Sequence, residues 1–101
     1  MPRNEFIKES LSVSKPMYSL IEPDFLREMA DVLTIGAAKY SKDNWKKCKY
    51  KDKYLYVDAA MRHFENYRAG VMIDESGKHE LAHVACNIMF LLHLENTNEQ
   101  K

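Results

Sequence analysis

The sequence predicts an all-α fold: a small three-to-four-helix bundle, completed by oligomerisation, with an irregular N-terminal arm. Three observations predict it. Apolar residues recur three and four apart in three separate stretches, the spacing that gathers them on one side of a helix. Each stretch carries helix punctuation: Pro23-Asp24 opens the first, Gly70 closes the second, and Asp74 or Ser76 opens the third. Three helices of this length bury little surface on their own, and the third carries Met89, Phe90 and Leu94 beyond one narrow stripe. A second copy of the chain is therefore expected to complete the bundle, as a homodimer or homotetramer.

Residues 1–22 form the arm. Ser10, Ser12 and Ser14 alternate with Leu11 and Val13, and Lys15-Pro16 interrupts them; the arm is expected to be irregular, with at most a short strand-like piece near Met17–Ile21. The first helix starts at Pro23, where proline's fixed φ suits the opening turn, and Asp24 suits the positive dipole end. Phe25, Leu26, Met29, Val32, Leu33 and Gly36 share one side, and Glu28 and Asp31 the other. Gly36 inside the pattern costs roughly 1 kcal/mol against alanine and predicts a close helix crossing or a bend. The helix is expected to end near Lys39-Tyr40.

A lysine-rich loop follows at 41–51, with the only tryptophan, Trp45, inside it. Two readings stand for Trp45: an anchor pinning the loop to the core, or a surface on which a base stacks. The second helix is expected from about Asp52, as cap, to Ala69. Val57, Ala60, Met61, Phe64 and Tyr67 form its apolar face; Asp58, Arg62 and Glu65 share the opposite one at ion-pair spacing. The third helix runs to about Asn96, with Leu81, Val84, Ala85, Ile88, Leu91 and Leu92 as its apolar face. Beside that face Glu80, His83 and Asn87 stand in line over two turns. They read either as a polar outer face or as part of a site. Domain limits follow: arm 1–22, helical domain 23–96, polar tail 97–101.

Composition narrows the function classes. The chain has 101 residues with 15 basic and 15 acidic side chains, a formal charge of zero. That balance argues against a binder of nucleic-acid polymers. No apolar run approaches the ~18 residues of a membrane span, and the charged start, Met1-Pro2-Arg3-Asn4-Glu5, has no secretion-signal pattern. Cys48 and Cys86 lie far apart, which fits free thiols and a cytoplasmic setting. The lysines from Lys39 to Lys53 are a locally basic stretch that attracts phosphate or is simply solvated.

Several pieces in order resemble a known family. They are Lys15-Pro16-Met17-Tyr18-Ser19-Leu20, Gly36-Ala37-Ala38-Lys39-Tyr40, Asn44-Trp45, Arg62-His63, Asp74-Glu75-Ser76-Gly77, Leu81-Ala82-His83 and Asn87. Together they resemble the phage-associated dATP/dGTP diphosphohydrolases, related to the MazG-like all-α nucleotide pyrophosphohydrolases. The resemblance spans residues 15 to about 95. It implies a helical, oligomeric enzyme in the host cytoplasm that cleaves a purine deoxynucleoside triphosphate between the α and β phosphates with Mg²⁺ or Mn²⁺. Such chemistry needs oxygen ligands for a hard cation and positive charge for the phosphates.

Carried over residue by residue, the resemblance implies Glu28, Asp31 and Asp58 as metal ligands. Leu55 stands where a fourth carboxylate belongs, and Glu80 where the family often has histidine. Arg62, His63, Glu80 and His83 become the expected catalytic set. Lys15, Lys39, Tyr40, Asn44, Trp45, Asp74 and Asn87 become the expected substrate-binding set. The rival expectation is a catalytically silent helical module that binds a nucleotide or a protein through its basic loop, a reading the missing carboxylate at Leu55 favours.

Overall fold

The computed structural model describes residues 15–98. A 3₁₀ turn at Tyr18–Leu20 leads into α1 (Pro23–Lys39); 3₁₀ turns at Asn44–Lys47 and Tyr50–Asp52 lead into α2 (Tyr54–Arg68); a tight reversal then feeds α3 (Glu80–Thr97). The described chain is helical, as the periodicity predicts. Most of the expected arm, residues 1–14, lies outside the described residues, as do 99–101. The piece expected to be strand-like near Met17–Ile21 is the first 3₁₀ turn instead, closed by Ile21 N–H on the Tyr18 carbonyl.

Helix α3 is the centre of the fold. It packs chiefly against α2 and to a lesser extent against α1. Ala82, Cys86 and Leu94 are its buried apolar residues, and Glu80 and Asn87 are buried beside them. The expected apolar face is therefore displaced: Ile88 and Leu92 stand 55% and 59% exposed. The helix is apolar nearly all round, so periodicity could not choose which side faces inward. On α2 the inward face is likewise turned. Tyr56, Val57, His63 and Tyr67 are half-buried, while Met61 and Phe64 are exposed. On α1, Phe25 and Leu26 are exposed and Met29, Val32 and Leu33 half-buried. Gly36 marks no close crossing, since a Cβ there would meet nothing within 4 Å.

Two loops fix the helices. Trp45 is an anchor: it stacks on Phe90 of α3 at 4.7 Å and meets His93 edge-on at 5.0 Å. The Tyr56 hydroxyl donates to the Trp45 carbonyl at 2.8 Å. Asp52 caps nothing; it belongs to a 3₁₀ turn, and α2 starts after Lys53 without a side-chain cap. Gly70 does stop α2. Its φ of +100° lets Val71 N–H reach the Asn66 carbonyl and its own N–H reach that of Tyr67, the hydrogen-bond pair of a Schellman ending.

The reversal between α2 and α3 is a small hairpin, absent from the sequence reading. Ile73 and His79 form an antiparallel bridge. Asp74 to Gly77 is the turn, with Gly77 N–H on the Asp74 carbonyl and Gly77 at φ +86°, a three-residue loop with glycine in the left-handed position. Neither Asp74 nor Ser76 caps α3. The cap is His79, whose Nδ1 accepts from Leu81 N–H at 3.0 Å.

Candidate functional site

Three elements bring the site together. Helix α2 supplies His63 and, one turn on, Asn66. The hairpin supplies Asp74 and Ser76. The first turns of α3 supply Glu80 and His83. Glu80 stands where a helix N-terminus favours negative charge, yet it is only 1% exposed. A buried carboxylate needs partners, and α2 provides two. His63 Nδ1 lies 2.6 Å from Glu80 Oε1, and Asn66 Nδ2 donates to Oε2 at 3.1 Å.

Asp74 is held by its own turn. Its Oδ2 accepts from Ser76 N–H at 2.9 Å and lies 3.4 Å from His83 Nε2, while Oδ1 lies 3.7 Å from His63 Nδ1. Ser76 Oγ and His83 Nε2 share a hydrogen bond of 2.8 Å. The two imidazoles stack, centroids 4.5 Å apart and planes 13° from parallel. His63, Asp74 and Glu80 each present one possible ligand atom, all within 4.8 Å of one another. Burial by itself would raise the Asp74 carboxyl, but the Ser76 N–H and hydroxyl, with His83 and His63 alongside, hold it below its ordinary value. Burial lowers His83, and the neighbouring His63 adds to that, against the opposing pull of Asp74 and Glu80.

The cluster opens onto a groove of about 1740 Å³ between α1 and α2, floored by His83, Met89 and Phe90 of α3. Lys39, Tyr40, Asn44, Trp45, Asp58, Arg62, His63, Asp74 and His83 all line it. The structure thus brings together most residues singled out in the sequence. Among the described residues, neither Lys39 nor Arg62 forms an ion pair. Glu65, expected beside Arg62, binds Arg68 at 2.7 Å.

Other expected residues lie apart. Lys15 and Glu28 are exposed and outside the groove, and Asp31 pairs with Lys78 at 3.6 Å, tying α1 to the hairpin. Glu28, Asp31 and Asp58 form no convergent ligand group among the described residues. Asn87 is buried, and its Nδ2 donates to the His83 backbone carbonyl at 2.8 Å rather than to the ring. Asn66 was missed. The available signal was its spacing of three from His63, which sets both on one face of α2.

Fold and site define a small all-α domain with a histidine–carboxylate cluster at one wall of an interhelical groove. The chain belongs to the family described as dATP/dGTP diphosphohydrolase, N-terminal, whose sequence profile matches residues 7–101. It is 40% identical over 83 residues to the dATP/dGTP diphosphohydrolase of Salmonella phage PMBT28, a match covering 81% of this chain and 28% of that relative. The matched stretch therefore spans just over a quarter of the curated relative's length. No solved structure matches it. Among the described residues, no helix is long and apolar enough to cross a membrane.

Proposed function

We propose that this domain holds a purine (deoxy)nucleoside triphosphate in the groove and hydrolyses it to the monophosphate and pyrophosphate, with Mg²⁺ or Mn²⁺. The observation that carries the reading is the continuity of the groove. Lys39 and Arg62, without an ion pair among the described residues, lie along the same groove as the cluster of His63, Asp74 and His83. Guanidinium and ammonium groups orient phosphates and stabilise the charge that develops on them. Exposed Tyr40 and half-buried Trp45 line the groove and offer ring surface to a base. Asp74 and the paired imidazoles can hold a water and take its proton. A divalent ion, when bound, would neutralise phosphate charge and acidify that water. The relative's name, which specifies dATP and dGTP, supports the purine preference.

The exposed apolar side chains Phe25, Leu26, Ile88 and Leu92 support assembly with further copies, which would bury them. Size-exclusion chromatography with light scattering tests that part; a monomer at micromolar concentration overturns it.

A second reading, nucleotide binding without catalysis, draws on one observation. Leu55 is 68% exposed where the resemblance places a carboxylate, and Glu28, Asp31 and Asp58 do not converge. Pyrophosphate release from deoxy- and ribonucleoside triphosphates, with Mg²⁺, Mn²⁺ or chelator, separates the two. Metal-dependent release favouring purines is expected. A folded sample that is thermally stabilised by nucleotide yet releases nothing overturns hydrolysis and leaves the binding module.

A further inference from the structure

We infer that His63, Asp74 and Glu80 form a divalent-metal centre of mixed nitrogen and oxygen donors, selective for Mn²⁺ and similar transition ions over Mg²⁺. This deepens the reading of the same groove, and its test does not depend on hydrolysis.

The first argument is convergence. Each carboxylate has one oxygen occupied elsewhere: Glu80 Oε2 by Asn66, Asp74 Oδ2 by Ser76 N–H. The remaining oxygens, Glu80 Oε1 and Asp74 Oδ1, lie 2.6 and 3.7 Å from one atom, His63 Nδ1. Ligands about 2.1–2.3 Å from an ion sit roughly 3 Å apart when adjacent and about 4.4 Å apart when opposite. The three ligand atoms all lie within 4.8 Å of one another, so small side-chain shifts bring them to that geometry. A bound ion takes the place of the proton shared between Nδ1 and Oε1.

The second argument is charge. Glu80 is fully buried and Asp74 half-buried, and among the described residues no lysine or arginine pairs with either. Lys78, the nearest basic residue in sequence, is turned away to Asp31. Two carboxylates aimed at one nitrogen, one of them buried, call for a cation there. His63 and Asp74 face the groove, so the ion has an entry path, and its remaining positions stay open to water or phosphate oxygen.

The donor set decides the metal. Mg²⁺ prefers six oxygens in strict octahedral array. An imidazole nitrogen in a three-ligand set suits Mn²⁺, Co²⁺ or Zn²⁺ better. Asn66 acts as a positioning residue through Glu80.

The test is Mn²⁺ binding to the whole chain without nucleotide, read by the electron paramagnetic resonance signal of free Mn²⁺. One site per chain is expected, retained in a roughly 100-fold excess of Mg²⁺ and emptied by Co²⁺ or Zn²⁺, as the affinity order for such sites requires. His63→Gln and Asp74→Asn, each checked for helicity by circular dichroism, should abolish it. Asn66→Ala should weaken it about 10–100-fold, while the combined Glu28→Gln, Asp31→Asn and Asp58→Asn variant should bind normally. Loss of binding in that triple variant alone overturns the assignment, as does absence of any Mn²⁺ site, or equal competition by Mg²⁺. Binding at His63 without pyrophosphate release would leave the metal centre standing and remove hydrolysis; Mg²⁺-driven release with no Mn²⁺ site would do the reverse.

Discussion

Replacing Glu80 by glutamine isolates what its charge does. Between an imidazole nitrogen and a carboxylate oxygen the nitrogen donates, so His63 carries its proton on Nδ1 toward Oε1, 2.6 Å away. Asn66 Nδ2, a donor only, requires an oxygen at the other position, 3.1 Å away. A glutamine must therefore turn its oxygen to Asn66 and its NH₂ to His63. His63 must then accept at Nδ1 and carry its proton on Nε2. Both bonds to the carboxylate, each worth about 1.5–3 kcal/mol, become neutral ones worth about 0.5–1.5 kcal/mol each, and relief from burying a charge offsets about half of the loss. The expected cost is roughly 1–2 kcal/mol, or about 4–16 °C in Tm for a domain of this size. Glu80→Ala should cost more, about 3–5 kcal/mol, because it strands two donors and empties an interior volume. The assay is urea unfolding by circular dichroism with chelator present, so that no metal contributes, paired with ¹⁵N spectra of the imidazoles. Glu80→Gln as stable as the parent, or an unchanged His63 tautomer, would refute the argument.

Other perturbations follow from the same geometry. Burial pushes the Cys86 thiol from 9 up to about 11. The folded state then holds that proton more tightly than the unfolded one, so the contribution is complete below pH 9 and is lost as pH rises toward 11. The loss approaches roughly 3 kcal/mol, measured as a falling urea midpoint whose drop Cys86→Ala should reduce. Arg62→Ala should leave stability within about 0.5 kcal/mol, since the side chain has no described partner, but weaken nucleotide binding about 10–100-fold; an unchanged Kd by calorimetry removes Arg62 from the site. Two glycines should respond with opposite signs. Gly36→Ala, helical and with open space at its Cβ, should stabilise by about 0.5–1 kcal/mol. Gly77→Ala, at φ +86°, should cost about 1–3 kcal/mol and loosen the turn that carries Asp74; thermal midpoints of the two variants check both.

The helices were legible because their evidence is local. Pro23 opens α1 and Gly70 stops α2 where the sequence places them. What depended on partners distant in sequence was not legible. The hairpin bridge from Ile73 to His79 needs both ends of a reversal, and histidine is no common cap, so the start of α3 is assigned three to five residues too early. Ile88 and Leu92 read as inward, while Glu80, a charged residue, is the one buried. Its burial follows from His63 and Asn66 on another helix, and nothing in residues 80–97 discloses them. His63, Asp74, Glu80 and His83 stood out by residue type and by resemblance; Asn66 has no conspicuous chemistry until Glu80 is seen beside it.

The segment joining α2 to α3 explains why these four residues meet at all. A helix ending at Arg68 and another beginning at Glu80 could be joined by a loose loop with no effect on how the helices pack. Here Gly70 turns the chain sharply, and Gly77 turns it again. Met72 accepts from Glu80 N–H at 2.7 Å, and Asp74 N–H donates to the Lys78 carbonyl at 2.8 Å. These bonds fix Asp74 against the first turn of α3, opposite His63. With only Ala82, Cys86 and Leu94 as buried apolar side chains among the described residues, apolar packing is too thin to set such positions to a fraction of an ångström. The polar network does that positioning, since each hydrogen bond prescribes direction as well as distance. Asp74 and Ser76 are therefore as much part of the joint between α2 and α3 as of the site, and loosening the hairpin should disturb the site before it unfolds the helices.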